Sequence, residues 1–414
     1  MMRAMVFPLE NTVQPYAWGS PTAIPELFGI PNLSGQPIAE IWMGAHPKAP
    51  SRLVVGGEQV SLAGHVEDDP VGALGAAVAG RFAGQLPFLF KILAAAEPLS
   101  IQAHPTLEQA RSGFAREEAA GIPRDAVGRN YRDNNHKPEL IYALTPFWGL
   151  RGFRAPGEIQ LEFTSAPLAV PDSLYLPDDE AGLKGFFRSL MTLRESDRKN
   201  LLDSAIRVAG DRWPDPDRQP DPGDQLARYF WLLRLSGKYP GDVGVLAPLF
   251  LNVFSLNPGE ATCQPAGVLH AYLEGVGAEL MANSDNVLRG GLTVKHVDLD
   301  ELLAVGVFRT EESQVITGQS SSPADLASAC TVIDYPAPFE EFGFSRIDVQ
   351  GQCRIPCGGP QILFCSAGAV TLAAGGGSVS QVPGDSAFVR ADEPALEADG
   401  NGTLLRATVG GLLE

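Results

Sequence analysis

The chain has 414 residues and a mass of 44.0 kDa, more than one hydrophobic core ordinarily serves, so two or three domains are expected. Apolar residues make up 44% and charged residues 19%, the balance of a soluble globular protein, and no apolar run is long enough to span a bilayer. The net charge of -18 excludes nucleic acid as a partner, yet a few converging cations would still suffice to hold a small phosphorylated ligand.

At the N-terminus, "MMRAMVFPLENTVQ" has no sustained apolar stretch ahead of a small-residue cleavage site, so it does not read as a signal peptide. Residues 1 to about 150 are rich in Gly, Pro and short apolar runs such as "SRLVVGG", "LPFLFKIL" and "ELIYAL", which predicts strands joined by turns. Around Gly182 the texture changes. Phe186, Phe187, Leu190 and Met191, then Leu201, Leu202, Ala205 and Ile206, recur at helical spacing. "DRWPDPDRQPDPGD" breaks the pattern as a surface loop, and "QLARYFWLLRLSG" resumes as a helix with Gly237 placed as its C-cap. The β texture returns after roughly residue 250 and runs to the end. There, "GPQILFCSAGAVTLAAGGGSVSQVPGDSAFVRA" alternates short strands with Gly clusters, as a sandwich or barrel does. The layout expected is a β domain over 1–153 and 250–312, interrupted by a helical insertion at 154–249 and followed by a second β domain at 313–414. The five cysteines read as reduced thiols of a cytoplasmic protein, since Cys353 and Cys357 have no second pair with which to build a metal site.

The six histidines, at 46, 65, 104, 136, 270 and 296, place any imidazole-based site outside the last β domain. In "LSIQAHP" an extended backbone turns Ser100, Gln102 and His104 to one face and Leu99, Ile101 and Ala103 to the other, either as a pocket lining or as a solvated face. In "YRDNNHKPELIYAL", Pro138 biases Lys137 toward an extended conformation, so Lys137 and Glu139 share a face with Ile141 while His136 faces away. A carboxylate entering an apolar strand needs a partner. Lys137, two residues along the same strand, is badly placed for an ion pair, and a metal ion answers better. "GEATCQPAGVLHAYLEG" has the spacing of the second metal-binding motif of cupins: Gly259, Pro265 and Gly267 shape a turn, and the next strand directs His270 inward.

Together Gln102, His104, Glu139 and His270 supply two imidazoles, a carboxylate and an amide oxygen, a donor set for zinc and also for manganese, iron or cobalt. Glu279, Asp285, Arg289 and Lys295 crowd the stretch "GAELMANSDNVLRGGLTVKHVD", as a solvated charged loop or as part of a site. Lys91, a cation inside the apolar "PFLFKIL", either snorkels to the surface or meets an anion in a pocket.

"LSIQAHP", "NHKPELIYAL", "PAGVLHAYLEG" and "ANSDNVLRGGLTVK", with "VQPYAWGS" and "AEIWMGAHP" upstream, resemble the motifs of type I mannose-6-phosphate isomerases in family order. The resemblance runs from about residue 10 to 310; the last hundred residues match only in texture. It implies a mainly β fold of cupin-type jelly-roll barrels with a helical domain, and a zinc-dependent aldose–ketose isomerase with one Zn²⁺ per chain. It places the metal ligands on Gln102, His104, Glu139 and His270 and the active-site arginine on Arg289. Trp18, Lys91, Ser100, Lys137, Tyr272, Glu279, Asp285 and Lys295 fall on other pocket positions. Such an enzyme moves a proton between C1 and C2 of a sugar phosphate through an enediol. Lys137 or Glu279 is the base, Lys137 only if burial and a nearby divalent cation lower its pKa against the pull of Glu139. Arg289 stabilises the enediolate or grips the phosphate, with Ser100 and Lys91 as the other phosphate candidates. The partner implied is a small-molecule sugar phosphate, with neither nucleic acid nor membrane, and the protein is expected to be a monomer. Two rival readings are a metal cupin oxygenase, which metal analysis separates, and a sugar-binding or storage protein, which would bind without turnover.

Overall fold

The computed structural model describes residues 5–55, 58–312, 314–320 and 329–411. Strand Phe88–Ala95 shows how the sequence builds the first barrel. It is buried throughout because both of its faces are covered. Phe88, Phe90, Ile92 and Ala94 pack outward against the C-terminal sheet, while Leu93 and Ala95 face inward toward Ile141, Ala143, Phe147 and Tyr272. It pairs with Glu40–Gly44 on one side and with the long strand His270–Ala282 on the other.

His270–Ala282 is the spine of an 11-stranded sheet. Its first residues pair with Phe147–Phe153, and its later ones with Glu139–Ala143. The changeover falls at a register shift between Tyr272 and Glu274, followed by Gly275 at φ 130. A side chain on Gly275 would collide with the Pro146 carbonyl, so a glycine lets the strand bend there and the sheet curl.

Helices Pro156–Ser165, Leu183–Met191, Glu195–Arg212 and Ala227–Lys238 cover the outside of this barrel. Phe163, Phe186, Phe187 and Trp231 bury against Leu150, Ala271 and Leu273. Gly237 is not a C-cap. The helix continues through it, the Tyr239 N–H bonds the Leu235 carbonyl, and the left-handed backbone appears later, at Gly241. The first 150 residues also hold helices where strands and turns were expected, Leu62–Asp68, Pro70–Leu74, Ala76–Arg81 and Leu107–Ala119. The last begins at a capping box between Thr106 and Gln109, a local signal that outweighs the turn-rich surroundings.

The C-terminal sheet has nine strands, dominated by Gln361–Ala374 and Ala395–Thr408. Leu363, Cys365, Ile347 and Leu404 fill its own interior. Phe344, Ile362, Phe364, Phe388 and Leu405 turn the other way, into a core shared with the first barrel. Strand Val6–Pro8 pairs with Ser386–Val389, so a piece of the N-terminal segment is built into the C-terminal sheet. Fully buried Arg390 adds a polar tie, its guanidinium donating to Asp69 at 2.7 Å and to His65 at 3.2 Å.

Candidate active site

The inward faces of the first sheet carry the chemistry. Glu139 opens strand Glu139–Ala143 and points inward with Ile141, while Leu140 and Tyr142 turn to the shared core. His270 stands opposite Gln102 in register, and Gln102 in turn stands opposite Arg289. His104 follows directly on strand Ile101–Ala103. The Nε2 atoms of His104 and His270 lie 3.3 and 3.2 Å from the two oxygens of Glu139, with all three side chains shielded from solvent. Among the described residues this is the one cluster of His, Cys, Asp and Glu fit to hold a metal, its donor atoms within 4.8 Å of one another.

Both imidazoles are fixed from behind. Nδ1 of His104 meets the Asn286 carbonyl at 2.7 Å, and Nδ1 of His270 meets the Val268 carbonyl at 2.9 Å. A carbonyl only accepts, so each Nδ1 carries the proton and each Nε2 lone pair faces the cluster, as metal-ligating histidines require. His104 Nε2, His270 Nε2 and Glu139 Oε2 have no hydrogen-bond partner. Leaving a buried polar atom unsatisfied costs about 1–3 kcal/mol each, and a divalent cation would satisfy all three. Burial pushes His104 down to about 4, against the pull of Glu139, so the ring is neutral near pH 7. Burial resists ionisation of Glu139, but Lys137 holds its carboxyl well below the usual range.

Lys137 Nζ lies 3.0 Å from Glu139 Oε1. The sequence reading argues against this ion pair, because residues two apart on a strand are spread along its axis. It forms because the strand begins only at Glu139, and Lys137 belongs to the loop before it. His136 does face away and meets Glu341 at 2.6 Å.

Further along the interior, Lys91 Nζ lies 2.9 Å from Glu279 Oε2 and 3.4 Å from Glu40 Oε1. Trp42 donates its indole N–H to the other Glu40 oxygen at 2.7 Å. Lys91 is therefore an interior cation and does not snorkel. Burial works to lower its pKa, but Glu279 and Glu40 outweigh that and raise it. Burial raises Glu279, opposed by Lys91 and aided by Glu139. The Tyr272 hydroxyl is pushed well above its ordinary value by burial, then by Glu279 and Glu139.

The remaining predicted residues sit around this chamber. Arg289 is half-buried, its pKa lowered by burial and by Arg132. Lys295 is exposed, lowered by burial, Arg289 and Arg132, so three cations converge here. Asp285 is drawn aside to Lys48 at 2.8 Å, on the wall of a cleft of ≈ 660 Å³ that Arg132 also lines. Trp18 and Leu99 pack at the edge of the Tyr272 cluster, and Ser100 is half-buried just before its strand. Three residues escaped the sequence reading. Glu40 carried the same signal as Glu139, a carboxylate in an apolar strand. Gln264 is fully buried opposite Glu139 with both amide atoms unpartnered. Arg132 lay in a loop with no local pattern to mark it.

Fold and site define a cupin protein with a buried divalent-metal centre. Residues 6–156 match the family model for the phosphomannose isomerase type I catalytic domain, and residues 331–409 match that for the mannose-6-phosphate isomerase cupin domain. Mannose-6-phosphate isomerase of Escherichia coli is 44% identical over 96% of this chain and 98% of its own length, and that of Macaca fascicularis is 33% identical over 85% and 84%. A crystal structure of mannose 6-phosphate isomerase bound with zinc and yttrium superposes with a TM-score of 0.87 at 41% identity, covering 98% of this chain and all of that one. A zinc-bound holo form matches at 0.87 and 42%, again over 98% of this chain and 100% of that one. The chain belongs to the type I mannose-6-phosphate isomerase family.

Proposed function

We propose that this protein interconverts D-mannose 6-phosphate and D-fructose 6-phosphate, with one zinc ion held by His104, Glu139, His270 and the amide oxygen of Gln102. The observation that carries this is the cluster of three unpartnered buried donors, His104 Nε2, His270 Nε2 and Glu139 Oε2, in a chain aligned along its length with isomerases of that name. Zinc supports the reading through the zinc-bound relatives and the donor chemistry.

Isomerisation starts from the open-chain aldose. A base takes the C2 proton, the C–H pair forms the C1=C2 bond, and the carbonyl π pair becomes negative charge on O1. Transfer of the O2 proton to O1 and return of the abstracted proton to C1 then leave a hydroxyl at C1 and the carbonyl at C2. Glu279 suits the base: it is a buried carboxylate whose pKa burial raises against the pull of Lys91, 2.9 Å away. Lys137, paired with Glu139 at 3.0 Å, places a positive charge beside the developing enediolate. A bound zinc ion supplies Lewis acidity toward the sugar oxygens. We assign the phosphate to Arg289 with Lys295 and Arg132, because the charge of Lys91 is already taken by two carboxylates.

No helix among the described residues is long and apolar enough to cross a membrane, and all five cysteines are free thiols, as suits a reducing compartment. The test is conversion of mannose 6-phosphate before and after chelation, with zinc added back. Loss and recovery of turnover is the expected result; no turnover in a folded, zinc-loaded sample would overturn the reading.

A further inference from the structure

The segment that carries Lys137 and Glu139 is held from two sides, and only one of them belongs to the first barrel. On that side, residues 283–286 grip the loop ahead of Lys137. Asn286 accepts the Arg132 N–H at 2.7 Å, the Asp285 N–H bonds Asp133 at 2.7 Å, and Asn135 donates to the Asn283 carbonyl at 3.0 Å. On the other side stands Glu341, in the connection between strands Cys330–Tyr335 and Gly343–Gln350 of the C-terminal sheet. Its Oε1 meets His136 Nε2 at 2.6 Å, with both side chains largely buried. The connection is itself anchored. Phe342 is fully buried in the shared core, and Glu340 pairs with Arg81.

We propose that Glu341 is a positioning residue for the isomerase site, through which the C-terminal domain sets the placement of Lys137 and Glu139. His136 precedes Lys137 directly, and Pro138 restricts the Lys137 backbone to extended conformations. Fixing the His136 ring therefore fixes the direction in which the chain enters the strand at Glu139. The pair touches neither the metal donors nor the Lys91 cluster, so it acts on geometry alone. A displacement near 1 Å at a reacting group is worth up to about 10²-fold in rate.

This inference rests on the proposed isomerase activity, and its test keeps the two separable. Glu341→Ala is expected to lower kcat about tenfold with KM within about twofold and zinc content unchanged. Glu341→Gln, which keeps an accepting oxygen, restores part of the loss. His136→Ala gives a similar loss, and the double variant is no worse than either single one. Hydrogen–deuterium exchange of the zinc-loaded protein supplies a readout independent of turnover: protection falls within residues 131–144 in Glu341→Ala and elsewhere stays as in the wild type. A kcat within twofold of wild type with unchanged exchange overturns the positioning role and leaves the isomerase reading intact. A wild type without turnover sinks the isomerase reading, while the exchange pattern still decides whether Glu341 holds the loop. If Glu341→Ala does not fold, Glu341→Gln and His136→Ala carry the same comparison.

Discussion

Lys91 and Glu279 face each other on paired strands, Nζ to Oε2 at 2.9 Å, and Glu40 reaches the same ammonium from the strand on the other side. One cation thus lies between two carboxylates inside the barrel. Lys91→Met would leave both without a counter-charge, and breaking such a buried pair is worth about 3–5 kcal/mol of stability. Urea unfolding of the zinc-loaded protein reads this directly. Glu279→Gln in the same chain should recover part of the loss, and an unchanged midpoint would mean that the cluster is open to water.

Glu279→Gln alone should lower kcat by about 10²–10⁴-fold, the range for removal of a positioned base, while zinc content stays at one per chain. Burial raises Glu279, so the acid limb of the wild-type kcat/KM profile should lie above the ordinary glutamate value. Lys137→Met is the companion measurement. Turnover kept in Glu279→Gln but lost in Lys137→Met would transfer the base role to Lys137.

The metal centre predicts a stability linkage. Zinc at a hundred times its Kd should stabilise the wild type by about 2.7 kcal/mol over the metal-free form. His104→Ala removes a donor that Asn286 orients, and both the bound zinc and this increment should fall sharply. Equal zinc content in variant and wild type would remove His104 from the ligand set.

His46 offers a pH test away from the metal. Its imidazole is pushed down to about 4, first by burial and then, against Asp285, by Lys91, Lys48 and Lys137. The folded state therefore resists a proton that the unfolded chain accepts near 6.5. Stability from this residue is complete above pH 6.5 and is lost as pH falls toward 4, by about 3 kcal/mol at most. His46→Asn retains a side-chain acceptor for the Lys48 N–H that His46 Nδ1 now accepts. That variant should show a shallower decline in unfolding free energy over this window, and a slope identical to wild type would contradict the assignment.

Local signals brought much of this site within reach of the sequence. Alternation around Pro138 places Glu139 inward and His136 outward, and the Pro265–Gly267 turn directs His270. What stayed hidden was relational. Nothing near Glu40 announces Lys91, which is 51 residues away in sequence. Nothing near His136 announces Glu341, 205 residues on. The Lys137–Glu139 pair is hidden for a different reason: the strand begins at Glu139, two residues later than the alternation suggests. The helix Leu107–Ala119 was legible in its capping box but was masked by the turn-rich texture around it. The inserted helices read clearly because their apolar side chains, such as Phe186, Phe187 and Leu190, all serve one core.

Strand Val6–Pro8 has a consequence for the order of events during synthesis. It is translated long before its partner Ser386–Val389. Until then the early strand has no edge to join, and the late sheet lacks one of its borders. Their pairing is thus a closure of sequence-distant segments, the kind of contact that forms slowly. A change in strand Val6–Pro8 would be felt first in the C-terminal sheet, the same sheet whose connection supplies Glu341.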